Sequence, residues 1–401
     1  MARNRPRAPI TSPAAATVFS TVLTRGPVTR VDVARRTGLS SAAVTKAARP
    51  FIEAGYMAEV AAEERTVPGA GRPASPLDIR AEREFFVGVK ITGDDLIGVV
   101  TDLRAQVHNA QRHPLQSRAV DSVVAAIVNL VRALLAESQE FLERAHCLGV
   151  AVSGDVDRAS GQVRYSPFLG WHDVPLAELL EEATGLMTTV ENDVKALTIA
   201  EQWFGEGIGA SSFALVTVGA GIGCGLVANG ALVTGAFGVA GEIGHVPVAD
   251  GGPPCHCGGV GCVEAIASTH AIVAQARLAV GEPELSMDQA VARARSGEET
   301  VRRVFAQAGH AIGLGLAAVA NLFGPERIVV SGEGLAVYDL FDQQIQESFA
   351  RQAFGSAARC GLAIRALPFE EWARGAAAVA VQTMFAPEST RSRQHAGHLN
   401  T

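Results

Sequence analysis

Two periodicities divide this chain. Between about residues 14 and 60, apolar positions such as Val18, Val22 and Leu23 recur at the spacing of one helical face. Val31, Val33 and Ala34 then precede Gly38-Leu39-Ser40, after which Val44, Ala47, Ala48, Phe51 and Ile52 resume the pattern. Two short helices separated by a glycine-containing turn predict a helix-turn-helix. Pro50 removes a backbone donor and crowds the preceding turn, so the second helix is expected to kink or end there. Residues 61–80 carry charges and then Pro68, Gly69, Gly71, Pro73 and Pro76, which predict a β-wing and linker. From Phe85 onward, FFVGVKI, LIGVVTDL, HCLGVAVSG, SFALVTVGAG and RIVVSGEG are short β-rich runs, interleaved with helical stretches at 119–140 and 300–322. Such alternation predicts an α/β body. Its halves, roughly 81–195 with the C-terminal helix and 196–375, predict two lobes around a cleft. Residues 1–13 read as a flexible arm, 14–80 as the winged head and linker, 81–385 as the body, and 386–401 as a disordered tail.

Composition narrows the class. The 401 residues are 48% hydrophobic and 19% charged, which excludes wholesale disorder and predicts two or three packed domains. The longest apolar stretch, Ala311 to Gly324, contains Asn321 and several glycines and is shorter than the ~20 residues of a membrane span. Arg3, Arg5 and Arg7 are followed by Pro9, Thr11, Ser12 and Pro13 instead of an apolar signal core, so a cytoplasmic protein is expected. The net charge of −7 hides an asymmetry: residues 1–80 hold 12 basic against 6 acidic side chains, leaving 22 against 35 for the remainder. A basic head on an acidic body predicts that the head meets a polyanion.

The head has the residues for duplex DNA. Its first helix carries Asp32, Arg35 and Arg36, and its second carries Ser40, Ser41, Thr45, Lys46 and Arg49. Small, hydroxylated and basic residues near the start of a second helix enter the major groove without steric conflict. Val44 is expected in the core. Past Glu53-Ala54-Gly55-Tyr56, the wing tip would include Arg65 and Gly71-Arg72-Pro73, placing Arg72 for a narrow minor groove. The plainer alternative is a helical hairpin with a solvated charge cluster.

Six cysteines are too few for a disulfide scaffold, and three of them crowd into Cys255, Cys257 and Cys262. His245 lies ten residues before the first of these. One imidazole and three thiolates match zinc's tetrahedral preference with no position left for water, which predicts a structural ion. His256 competes but is expected to point away, and Cys147, Cys224 and Cys360 read as core residues. A reduced thiol cluster or a redox pair is the alternative.

The segment GEIGH…CHCGGVGCVE, with SGDVD…SGQV, LGWHDVPL, VENDV, TVGAGIGCGLVANG and NLFGPERIVVSGEG, resembles the ROK family, which groups sugar-responsive transcription regulators with sugar kinases. The resemblance implies a winged helix-turn-helix followed by a two-lobed body of the actin-like ATPase and hexokinase type. It further implies that Asn192, Asp193, Glu242, His245 and Glu264 hold a sugar or sugar derivative, with His245 also binding zinc. Kinases of the family open the body with an Asp-x-Gly-Gly-Thr phosphate loop; the aligned run here is Lys90-Ile91-Thr92-Gly93-Asp94. A lysine replaces the aspartate and an anion the threonine, so ATP binding and kinase activity are expected to be lost. The second phosphate segment, Gly219 to Gly225, keeps its glycines. Phe168 replaces a residue often polar in relatives, which leaves the identity of the sugar open. The expected protein is a non-enzymatic, sugar-modulated DNA-binding regulator, and a repressor in sign. It would act as a homodimer or dimer of dimers on a palindromic operator. The rivals are an ATP-dependent sugar kinase with an added DNA-binding domain, and a DNA-binding protein whose body only oligomerises.

Overall fold

The computed structural model describes residues 9–61 and 75–385. The arm and tail expectations therefore lie wholly or partly outside the described residues, and Arg65 and Arg72 lie entirely outside them. The chain forms two compact units, residues 1–208 with 370–401, and 209–369.

The first unit begins with three helices, α1 (Pro13–Arg25), α2 (Arg30–Thr37) and α3 (Ser41–Glu53). Each starts where a hydroxyl can accept from an otherwise unpaired backbone amide: Ser12 from Ala15, Thr29 from Asp32 and Ser40 from Ala43. Ser40 is thus a cap, not a residue of the second helix. Gly38 ends α2 in the left-handed region at φ 70°. Val44, Ala48 and Phe51 form the buried face of α3. The helix runs through Pro50 to Glu53 instead of ending at the proline, and Phe51 in that last turn is fully buried, its ring 4.8 Å from that of Phe19. Beyond it, β1 (Met57–Glu59) pairs antiparallel with β2 (Leu77–Ile79).

Next come β3 (Phe85–Ile91), β4 (Asp95–Asp102), β5 (Val107–Pro114), α4 (Val120–Ala136), α5 (Gln139–Arg144) and β6 (Ala145–Val152). A small antiparallel sheet of β7 (Asp155–Asp157), β8 (Gln162–Ser166) and β9 (Trp171–Val174) follows, then α6 (Leu176–Thr184), β10 (Met187–Asn192) and α7 (Asp193–Phe204). The five-stranded sheet has the order β10-β6-β3-β4-β5, with β3, β6 and β10 parallel. β3 is buried along its whole length, which explains a run apolar at every position but Lys90, whereas β5 at the edge alternates. The first lobe extends past the expected limit near 195, because α7 packs with this sheet's elements.

The second unit contains β11 (Phe213–Val218), β12 (Ile222–Ala228), β13 (Ala231–Leu232), α8 (Val263–Ala267), α9 (Thr269–Val280), α10 (Met287–Arg295), α11 (Glu299–Phe323), β14 (Arg327–Ser331), α12 (Asp342–Gln352) and β15 (Gly361–Ile364). Its sheet order, β13-β12-β11-β14-β15, repeats the arrangement of the first: an antiparallel meander, then parallel neighbours. α11 is long and apolar enough to cross a membrane, although no single apolar run predicted one. Of its most apolar window 67% is buried within the protein, as in the core helix of a globular unit.

The chain returns to the first unit with α13 (Glu370–Met384). Gly88 of β3 and Gly149 of β6 are register partners, and together they leave a patch without side chains. A Cβ on Gly88 would lie 2.0 Å from the Ala373 carbonyl oxygen, and one on Gly149 would lie 1.8 Å from that of Ala376. Small residues on both sides therefore bring the backbone of α13 against the sheet. Its far end carries on into the head: Phe385 stacks on Phe19 with ring centroids 4.0 Å apart and meets Tyr56 edge-on. The Tyr56 hydroxyl donates to Glu84 at 3.0 Å.

Gly149→Ala should destabilise the protein by ~1–3 kcal/mol or more, because the new methyl meets backbone that has nowhere to move. Gly361→Ala, which meets nothing within 4 Å, should change stability by less than ~0.5 kcal/mol. Urea unfolding midpoints decide this; equal effects at the two positions would refute the close helix–sheet contact.

Candidate metal centre and polyol-binding residues

The second unit gathers the predicted metal ligands. His245 closes a short 3-10 turn, Ile243–His245, and its Nδ1 lies 3.5 Å from the Cys255 sulfur. The sulfurs of Cys257 and Cys262 are 3.8 Å apart. A tetrahedral site with metal–sulfur bonds of ~2.3 Å and metal–nitrogen bonds of ~2.0 Å requires sulfur–sulfur edges of ~3.8 Å and sulfur–nitrogen edges of ~3.5 Å. These two separations match such edges, and the ligand atoms of His245, Cys255 and Cys257 all lie within 4.8 Å of one another, close enough for one metal ion, with the Cys262 sulfur beside that of Cys257. Gly259 gives the sulfurs room, since a Cβ there would sit 3.2 Å from the Cys262 sulfur. Gly261, at φ 67°, folds the loop back so closely that a side chain would strike the Ala249 carbonyl. The Gly259 amide holds the Cys257 thiol below its ordinary value, while burial pushes Cys262 up to about 12.

His256 does not turn away from this cluster. Its ring meets that of His245 edge-on at 4.9 Å, and its Nδ1 is 3.2 Å from Glu264. His245, His256 and Glu264 form a second grouping whose ligand atoms are close enough for a cation. Glu264, in the first turn of α8, also accepts from the Ile222 amide at 2.8 Å. The carboxylate predicted to meet a sugar thus already accepts one backbone hydrogen bond and lies against the His256 ring. Glu242 immediately precedes the 3-10 turn that presents His245, and its charge, after burial, helps raise the Cys224 thiol to about 12.

In the first unit, Lys90, Ser153, Asn192 and Asp193 stand at the carboxyl ends of three adjacent parallel strands, where α/β sheets ordinarily hold ligands. Asn192 caps α7: its Oδ1 accepts from Lys195 at 3.2 Å, and its Nδ2 donates to the Gly154 carbonyl at 2.9 Å. Asn192 therefore acts as the N-cap of the helix that follows it. Asp193 is buried. Its Oδ2 accepts from Ser153 Oγ at 2.5 Å and from the ammonium of Lys90, itself only 5% exposed, and its Oδ1 accepts from the Val194 amide. Burial pushes Asp193 up, but Lys90, Ser153 and the Val194 amide outweigh it and hold the carboxyl below its ordinary value. Lys90 Nζ also sits over the Trp372 ring of α13 at 5.5 Å.

Lys90 was legible as a departure from a phosphate loop, but its bond to Asp193 was not, because 103 residues separate the two. The exchange of an acid for a base opposite a retained aspartate was the available signal. Asp94, the other departure, is exposed and pairs with Arg118 at 3.2 Å. Phe168 is 42% exposed. On the head, Ser41, Thr45, Lys46 and Arg49 share the exposed face of α3 opposite buried Val44. Arg49 is bound to Glu53 at 2.6 Å and Arg35 to Asp32 at 2.6 Å, both in exposed pairs of small energetic weight.

A family model, ROK, matches residues 86–383, and the chain belongs to the ROK family. It is 30% identical over 326 residues to the DNA-binding transcriptional dual regulator NagC of Escherichia coli strain K12, covering 79% of this chain and 80% of that one. Among solved structures, a ROK family transcriptional regulator, a homologue of the E. coli Mlc protein, superposes with a TM-score of 0.78 at 26% identity, over 95% of this chain and 97% of that one. The ROK hexokinase of Thermus thermophilus superposes with a TM-score of 0.65 at 28% identity, covering 74% of this chain and 97% of that one.

Because Asp193 is held below its ordinary value, its pairing contributes stability above the usual carboxylate range and loses it as pH falls through the folded value. Lys90→Met leaves a buried carboxylate unpaired and should cost ~3–5 kcal/mol near neutral pH. Without the lysine, burial favours the protonated acid, so the deficit should shrink as pH is lowered from 7.5 to 5. Thermal unfolding at the two pH values tests this; a pH-independent deficit would show that the charge of Asp193 does not depend on Lys90.

Proposed function

We propose that this ROK protein is a cytoplasmic, sugar-responsive transcription regulator that reads double-stranded DNA with its N-terminal head. The observation that carries the reading is that head: three capped helices and a two-stranded ribbon preceding the family match, with Ser41, Thr45 and Lys46 on the exposed face of α3. In NagC, similar over four-fifths of its length, the same family body belongs to a DNA-binding regulator. The head is read as a winged helix-turn-helix, with Lys46, Arg49 and Arg36 at phosphates and Ser41 and Thr45 at base edges. A single head covers few base pairs, so a homodimer on an inverted repeat is the expected binding form.

The regulatory ligand is read as a sugar or sugar derivative. Each unit offers its own acceptors for hydroxyl groups, Asp193 with Asn192 in the first and Glu242, His245 and Glu264 in the second. Zinc is the ion assigned to His245, Cys255, Cys257 and Cys262. It would be structural, fixing the His245 ring so that one nitrogen binds metal and the other faces ligand. Phosphoryl transfer is not assigned to this chain, since the base position Asp193 is already bound to Lys90 and Ser153. A phosphorylation assay with ATP and a sugar panel would overturn that reading by yielding a sugar phosphate.

Purified protein should contain about one zinc ion per chain. Cys257→Ser should lower that content and the thermal midpoint together. Zinc-free protein of unchanged stability would remove the assignment.

Operator binding should weaken with salt, and Lys46→Ala should reduce the magnitude of the log–log salt slope by about 1. A sugar from a monosaccharide and amino-sugar panel should shift DNA affinity by ~5–150-fold. Salt-independent DNA binding, or a slope unchanged in the variant, would refute the head as reader; a panel without effect would refute the sugar response.

A further inference from the structure

We propose that the carboxylate of Glu333 is the resident anion of the glycine turn following β11, standing where a phosphate group would sit, and that it closes this turn to nucleoside polyphosphates. The turn Gly219-Ala220-Gly221 joins β11 to β12, and backbone amides presented by such turns form concavities for anions. Here the Ala220 amide donates to Glu333 Oε1 at 2.7 Å. A Cβ on Gly219 would lie 2.0 Å from that oxygen and 2.2 Å from the carboxyl carbon. The carboxylate therefore rests directly on the backbone of the turn, in space that a side chain at 219 would fill.

The placement is enforced by what surrounds it. Glu333 follows β14, the parallel neighbour of β11, so both segments leave the sheet at its carboxyl edge. Gly332, at φ 105°, and Gly334 flank it; a Cβ on either would lie 2.4 or 2.9 Å from the Val218 carbonyl oxygen. Only glycine at both positions lets the chain press against the end of β11, and the residue between them is then carried over the turn. The turn is held as well: the Gly219 carbonyl accepts from Thr269 at 2.8 Å, and the Ile222 amide is taken by Glu264 at 2.8 Å. An incoming phosphate would have to displace an anion tethered by the chain and overcome its charge. Lys90 in the first unit acts on a different group, so the two obstacles are independent.

The inference deepens the non-kinase reading and rests on it for its consequence, but its test reads binding instead of phosphoryl transfer. Full-length wild type, Glu333→Ala and Glu333→Gln would be titrated calorimetrically with magnesium pyrophosphate and with magnesium ATP. The alanine variant should bind both at least tenfold more tightly than wild type, and the glutamine variant, which keeps an acceptor without charge, should fall between them. Wild type binding as tightly as a folded alanine variant would overturn the proposal. If alanine prevents folding, glutamine alone decides: no gain over wild type overturns it. Sugar phosphorylation by a Glu333 variant but not by wild type would overturn the non-kinase reading and leave the cradle assignment standing; phosphorylation by wild type would overturn both.

Discussion

The first unit depends on how closely one helix can approach one sheet. α13 lies with its carbonyls almost on the backbones of β3 and β6, and only the paired glycines at 88 and 149 permit it. Contact at that range leaves little freedom to slide or tilt, because close-packed backbones cannot relax as side-chain tips do. The same helix carries Trp372 beside Lys90 at one end, and Phe385 beyond its last turn stacks in the core of the head at the other. A single rigid element thus touches both the proposed ligand-sensing aspartate's partner and the proposed DNA reader. Coupling between them would need no flexible relay.

At the carboxyl ends of both sheets the protein satisfies its own charges. In the first, the Lys90 ammonium meets the Asp193 carboxylate; in the second, the Glu333 carboxylate meets the Ala220 amide. These are the edges at which α/β sheets usually bind ligands. A fold shared with a hexokinase has been filled from within by two side chains of opposite sign. On the proposed reading, the scaffold and its glycines persist while the space for a polyanion does not.

Much of this was legible in the sequence because it is local. The helices of the head follow from apolar spacing, α11 at Glu299–Phe323 closely matches the expected 300–322, and residue type and spacing pointed to a His/Cys cluster that could hold a metal ion. What escaped is non-local or compensated. Pro50 was expected to kink or end α3; the helix does not end there, since the next residue, Phe51, is fully buried against Phe19 and tertiary packing carries the helix on. The limit of the first lobe was misplaced because periodicity shows that 193–204 is helical without showing which sheet it covers. His256 was read as turned away because spacing says nothing of ring orientation, and Glu333 was visible only as one letter in a strand-ending run.

The Phe19–Phe385 stack also bears on the order in which the protein is made. The head is synthesised first, but one wall of its aromatic core is supplied by a residue 366 positions later. While the chain is being translated, α1, α3 and the ribbon can form, but their shared core stays open until residue 385 has left the ribosome. A nascent or prematurely terminated chain would therefore carry an unfinished reader. Competence to engage DNA would be acquired only after residue 385 has emerged, once the intervening body has been built.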